Sequence, residues 1–230
     1  MDMTAFKDGL KSALPIMAGY VVLGLPCGLL CQQAGMDWVM VLIMSAIFYS
    51  GAGQYMIPNM WLAGGPIISI IASVTLVNTR QMLYGASLSR FCEQSSKAAT
   101  FLFGATVTDE SFGVNLARFE NGNWDVKRAT VVNLCSQTSW ALSCVAGTLI
   151  GGLVSVPTAI ASFAMTSIFI CLLCMQKVNA TNVITVLCAV MGVCICKVTG
   201  LSGPAILLGA LIGMAAGYVY SSVIKRKERA

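Results

Sequence analysis

The sequence predicts an all-α, polytopic membrane bundle of about eight (seven to eight) transmembrane segments, some broken mid-membrane. Three observations predict it. Hydrophobic residues make up 57% of the 230-residue chain and charged residues only 10%, where soluble domains hold roughly 45–50% and about 25%. Mean hydropathy is +0.80. The apolar residues form long continuous runs, unlike the alternating segments of about 10 residues in an outer-membrane barrel. With 14 basic and 9 acidic side chains, the chain has too few charges to cover a soluble surface. The length fits one integral membrane domain, residues 1–230. These features exclude a nucleic-acid-binding protein, a secreted disulfide scaffold and a cytosolic enzyme.

A spanning helix needs about 20 mostly apolar residues, and eight stretches qualify in order: 12–31, 38–62, 66–89, 100–116, 129–154, 157–175, 182–197 and 204–224. Short polar connections separate them, so no room remains for a soluble domain. Pro15 and Pro26 predict a kink in the first segment. The N-terminal residues 1–11 carry Lys7 and Lys11 but no cleavage signal follows the first run, so that segment is expected to be retained. Basic residues set orientation. With both termini cytoplasmic, ten fall inside and three outside, and Arg80 lies within a span. The basic tail, 225–230, anchors the C-terminus inside. Segment four, short and acidic, and the two-residue connection Gly64–Gly65 leave a seven-span or re-entrant arrangement open.

Histidine is absent, which removes His-dependent triads, HExxH zinc sites and His proton relays. Nine of the ten cysteines lie in apolar runs. Cys171 and Cys174 have CxxC spacing without a second pair nearby, and the expected role is that of a small hydrophobe. No metal and no cofactor are expected.

Polar groups within the hydrocarbon are costly and mark function. The run Tyr49–Tyr55 contains Gly51, Gly53 and Gln54, a candidate unwound backbone able to hold substrate; close helix packing by small residues is the plainer alternative. This Gly-x-Gly is no nucleotide loop, since it lacks a βαβ context. The run Val77–Gly85 contains Asn78, Arg80 and Tyr84. Arg80 either grips a substrate carboxylate as a fork or pairs with Asp109 or Glu110. Asp109 and Glu110 themselves are candidates for a proton-coupling role or for holding a substrate ammonium; the alternative puts both at an interface because segment four only dips into the membrane. Asn133 and Gln137, four apart, share a helix face and either line a cavity or pair across helices. Gly209, Gly213 and Gly217 form one stripe that admits another helix, within the chain or from a separate subunit.

Three blocks, Phe48–Gln54, Val77–Leu88 and Thr108–Ser111, resemble in order and spacing the signatures of AzlC-type branched-chain amino acid exporters, over roughly residues 10–200. The resemblance implies an inner-membrane transporter exporting leucine, isoleucine and valine, in some members methionine. It also implies a small AzlD-like membrane subunit as partner. The family often has His where Gln81 stands here. With an amino acid as substrate, Gly51, Gly53 and Arg80 would meet the carboxylate, Asp109 or Glu110 the ammonium, and Tyr55, Tyr84 and Phe112 the aliphatic side chain. No ATP-binding motif is present, so an ion or proton gradient is the expected drive. An uncoupled channel for small solutes or ions, or a non-transporting scaffold subunit, would also account for the glycine-broken segments; an enzyme is the remotest alternative.

Overall fold

The computed structural model describes residues 3–122, 124–153, 179–200 and 205–227, with positions 157, 159, 163, 166, 167, 170 and 174. All regular structure among them is helical: α1 (Met3–Gln33), α2 (Trp38–Ile47), α3 (Gly51–Leu62), α4 (Ile67–Leu88, extended by a 3-10 turn Ser89–Phe91), α5 (Lys97–Ala105), α6 (Asp109–Glu120), α7 (Val126–Leu153), α8 (Ala180–Val198) and α9 (Ala205–Lys227). Most of the expected sixth segment, with Cys171, and the end of the basic tail lie outside the described residues. Among the described residues, three helices are long and apolar enough to cross a membrane: Met3–Gln33, Ile67–Phe91 and Ala180–Val198. The chain divides into two compact units, Met1–Ala63 with Val77–Thr166, and Gly64–Leu76 with Ser167–Ala230.

In the first unit α1 and α7 lie side by side and parallel. Gly9 faces Val131, Gly24 faces Trp140 and Ser143, Gly28 faces Cys144 and Thr148, and Gly151 faces Gln32. The two numberings rise together. The missing Cβ atoms permit this approach: one added at Gly28 would sit 1.9 Å from the Cys144 carbonyl oxygen, and one at Gly147 2.1 Å from that of Leu25. Thr148 Oγ1 donates to Gly28 O and Ser139 Oγ to Met17 O across the seam. α1 stays helical through Pro15 and Pro26.

The second and fourth expected spans are not continuous helices. Each is a pair of short helices that turns back on itself. α5 and α6 reverse direction at Thr106–Thr108. Along α6, Asp109 pairs with Arg80, Phe112 stacks on Tyr84, and Phe119 stacks on Phe91. α6 therefore runs parallel to the end of α4, and α5 must first run back along it. Phe103 of α5 reaches Phe119 at the far end of α6. In a continuous helix these two residues would stand about 24 Å apart. Leu88, Cys92, Phe103, Val107, Phe119, Val126 and Ala129 form one buried cluster that packs this hairpin against the end of α4 and the start of α7. Burial there pushes the Cys92 thiol pKa up, as suits a thiol that serves as a hydrophobe.

α2 and α3 make the matching turn at Phe48–Ser50. α2 starts just after α1 ends and runs back until Gln137 of α7 meets its last carbonyls. α3 then returns: Tyr55 donates to Leu23 O and faces Cys27, Cys31 and Cys144. Ser45 and Gln54, on opposite legs, are hydrogen-bonded at 3.1 Å. The first hairpin thus opens toward the C-terminal ends of α1 and α7, the second toward their N-terminal ends. A helix followed by a hairpin occurs twice, in opposite senses, although the sequence shows no internal repeat.

The basic residues follow this geometry. Lys7, Lys11, Arg90, Lys97, Arg118, Lys127 and Arg128 all belong to the end where α1 starts, while the connections 34–37 and 63–66 carry none. A cavity of about 540 Å³ at the basic end is lined by Phe6, Gln94 to Ser96 and Lys127, among others. The outward side chains are apolar: Val22, Ile47, Ile68, Met82, Leu142 and Leu153 are all more than half exposed. Among the described residues, fourteen polar ones are buried instead, the inside-out arrangement of a protein whose solvent is lipid.

In the second unit α8 and α9 form an antiparallel pair. Gly209 faces Val193, Gly213 faces Ala189, and Gly217 faces the Thr185 hydroxyl. The glycine stripe is used within the chain.

Candidate functional site

Both hairpin tips arrive beside the middle of α7, and one face of α7 holds them. Gln137 Nε2 donates to Ser45 O and Ala46 O, the exposed carbonyl end of α2. Trp140 Nε1 donates to Gln54 Oε1 on α3. Asn133 Nδ2 donates to Phe103 O and Thr106 Oγ1 at the end of α5, while its Oδ1 accepts from Asn115 of α6. Residues 133, 137 and 140 lie on one stripe of a helix. A single helix therefore satisfies polar groups on all four short helices. Broken helix ends carry orphan carbonyls and N–H groups, and burying one without a partner costs roughly 1–3 kcal/mol.

The N-terminal ends are capped locally. Ser50 Oγ accepts from Gly53 N, and Thr108 makes a reciprocal capping box with Ser111. Gly51 and Gly53 are accordingly the first turn of α3. The unwound backbone lies just before them, at 48–50. A Cβ at Gly53 would lie 2.8 Å from the Phe48 ring, so that glycine lets the turn close. Gln54 is fully buried, and both ends of its amide are occupied: Nε2 donates to Phe48 O, and Oε1 accepts from Ser45 and Trp140.

α4 crosses between the tips. Asn78 Oδ1 accepts from Ser50 Oγ at 2.6 Å, and Gln81 Nε2 donates to Tyr49 O. Further along, Arg80 Nη2 lies 2.8 Å from Asp109 Oδ2, the two side chains 26% and 20% exposed. Tyr84 donates to Asp109 Oδ1. Asp109 thus has both oxygens engaged. Arg80 Nε is buried without a partner.

Tyr20 of α1 joins the tips directly. Its hydroxyl lies 2.8 Å from Thr108 Oγ1 and donates to Glu110 Oε2 at 2.6 Å. Its ring meets Tyr49 of the first tip edge-on at 6.4 Å and Trp140 at 5.2 Å.

The structure thus brings Gly51, Gly53, Gln54, Asn78, Arg80, Tyr84, Asp109, Glu110, Asn133 and Gln137 to one region midway along α7. It also divides them. Gln54, Asn133 and Gln137 are spent on the backbone and on one another. Of the expected apolar wall, Tyr84 and Phe112 stack together, whereas Tyr55 is fully buried on Trp140. Tyr20, Asn115, Ser136 and Trp140 were not singled out by sequence. Asn115 lay within segment four as a buried amide, a signal of the kind that drew attention to Asn133. Among the described residues no group of three His, Cys, Asp or Glu is placed to hold a metal.

The AzlC protein family matches residues 15–154, which is α1 to α7 with both tips. A protein of Helicobacter pylori named "Uncharacterized membrane protein" is 31% identical over 182 residues, covering 78% of this chain and 79% of its own. The inner membrane protein YgaZ of Escherichia coli is 30% identical over 149 residues, 64% of this chain and 61% of that one. The branched-chain amino acid transport protein AzlC of Bacillus subtilis is 27% identical over 168 residues, 72% and 65% of the two chains. No solved structure matches.

Proposed function

The chain belongs to the AzlC family, and from that premise we propose that it is a secondary transporter exporting branched-chain amino acids, leucine, isoleucine and valine with methionine as a further substrate, across the inner membrane. The observation that carries this reading is the match of α1 to α7, the stretch holding both tips, to a family with a relative named for branched-chain amino acid transport. Two hairpins entering from opposite faces and meeting at charged side chains suit alternating access, since each tip can be exposed to one side in turn.

The proposed topology has α1, α4, α7, α8 and α9 crossing, with two re-entrant hairpins, and takes one further crossing, 157–175, from the sequence expectation alone. α7 is less apolar than the other crossings because its polar residues Asn133, Ser136, Ser139, Ser143 and Thr148 are turned inward, while Leu134, Leu142 and Leu149 face out. Placing the basic end of α1–α7 in the cytoplasm follows the rule that Lys and Arg stay inside, and it moves Arg90 and Lys97 to the favoured side. Both termini are then cytoplasmic, and the whole chain acts as one transport domain. The protein works as a carrier, not an enzyme, without a cofactor, and the family resemblance supplies a small AzlD-like subunit as its partner. The drive is an ion or proton gradient. One methylene changes binding by only about 1–3 kcal/mol, so discrimination among the aliphatic substrates is weak.

The test is export from cells loaded with leucine-containing dipeptides, with and without the partner. Saturable, stereoselective efflux that collapses with the gradient supports the reading. Unsaturable flux indifferent to the gradient overturns it in favour of a channel.

A further inference from the structure

The two neighbouring carboxylates at the second tip are not equivalent. Asp109 is filled: Arg80 on one oxygen, the Tyr84 hydroxyl on the other. Among the described residues no cation pairs with Glu110. Its Oε2 accepts from Tyr20, and its Oε1 has no partner among the described residues. Glu110 is exposed, and the proposed topology sets it at the second tip, within the membrane. A bare carboxylate at such depth is costly unless something positive meets it.

A second, independent observation points to the same place. Tyr49 is only 6% exposed, and its hydroxyl is buried without a hydrogen-bond partner. That hydroxyl lies among Tyr20, Thr108 and Glu110. Tyr49 and Glu110 come from opposite hairpins, and Tyr20 spans between them. Glu110 Oε1 and the Tyr49 oxygen therefore each keep lone pairs free for a donor, beside aromatic rings whose faces attract cations.

We infer that Glu110 and Tyr49, braced by Tyr20, form the subsite for a primary ammonium group, while the Arg80–Asp109 pair is a structural strut that leaves Asp109 closed to substrate. A primary ammonium has three N–H donors; the Glu110 carboxylate and the Tyr49 oxygen each take one. The inference rests on the reading of the chain as an amino acid transporter and identifies which carboxylate of that site receives the amine.

The test is competition for radiolabelled leucine on the full chain in lipid nanodiscs, with its partner subunit where needed. The competitors are isoamylamine, which keeps the ammonium and lacks the carboxylate, and 4-methylvalerate, which has the converse. In the wild type both compete. Glu110→Gln should lose isoamylamine competition by about 10- to 100-fold and keep that of 4-methylvalerate, as expected for a lost charge-assisted hydrogen bond. Tyr49→Phe, a smaller change that preserves packing, should weaken isoamylamine by about threefold. Asp109→Asn should leave the ratio of the two competitors unchanged. Isoamylamine competition intact in both Glu110→Gln and Tyr49→Phe overturns the assignment while leaving the transport reading in place. A selective loss in Asp109→Asn alone overturns it in favour of the neighbouring carboxylate. A wild type that binds no leucine overturns the transport reading and this subsite with it.

Discussion

Arg80 on α4 and Asp109 at the start of α6 form a 2.8 Å ion pair where the two helices meet. Removing one partner of a fully buried pair costs about 3–5 kcal/mol. Here each side chain keeps a fifth to a quarter of its surface exposed, so solvent screening reduces the expected loss to about 1–3 kcal/mol. Arg80→Gln and Asp109→Asn should each lower thermal stability in detergent, and the double variant should recover part of it. Strictly additive losses in that cycle would show that the pair is not coupled.

The α1–α7 seam gives a sharper contrast. Gly28→Ala would put a Cβ 1.9 Å from a backbone oxygen, whereas Gly19 has open space around it. Gly28→Ala should cost several kcal/mol, of the order seen for overpacked cores, and reduce the folded yield. Gly19→Ala should be neutral or stabilising by roughly 0.5–1 kcal/mol, since alanine suits a helix better. Size-exclusion profiles and melting temperatures of the two variants check this, and equal behaviour would contradict the parallel packing.

Gln54 ties Phe48, Ser45 and Trp140 together. Gln54→Leu leaves a carbonyl, a hydroxyl and an indole N–H unpaired, so the loss should exceed that of Trp140→Phe, which removes one of the two donors to Gln54 Oε1 at about 0.5–1.5 kcal/mol for the hydrogen bond. If the first tip is needed for transport, efflux should fall in the same order. A Gln54→Leu protein as stable as the wild type would show that the tip is held by other means.

Topology is tested by labelling single cysteines in a background without the native thiols. Ser95→Cys and Asn121→Cys, at the mouth of the second hairpin, should react from the same side as the N-terminus. Asp37→Cys and Gly64→Cys should react from the other. If Ser95 and Asn121 label from opposite sides, α5 and α6 form a crossing and the hairpin is refuted.

The membrane class, most helix positions and the three polar blocks were legible because they depend on local composition. The first break was found through Gly51 and Gly53, although those glycines open α3 and the unwound residues come just before. For segment four the sequence leaves a full span, a re-entrant arrangement and a partial dip all open, and the break itself is not located because Thr106–Thr108 contains neither glycine nor proline. A signal was present: Thr108 with Asp109, Glu110 and Ser111 is a helix start, a capping residue followed by acids in the first turn. The reversal at each tip was not legible, since it is fixed by contacts between residues far apart in sequence, such as Phe91 with Phe119 and Tyr20 with Glu110. The same holds for Trp140, whose role depends on which side chain comes to face it.

The anchors for both hairpins, Asn133, Gln137 and Trp140, come later in the chain than the hairpins themselves. A ribosome makes α2 to α6 before any of these three residues exists. Until α7 emerges, the tips hold carbonyls and amides that lipid cannot satisfy. The hairpins therefore have to wait at the membrane surface or inside the insertion machinery, and α7 sets the moment at which they close. With the native thiols removed and Phe48→Cys or Val107→Cys placed at a tip, a nascent chain arrested before residue 126 should keep the introduced thiol reactive to water-soluble reagents, and one arrested beyond α7 should protect it.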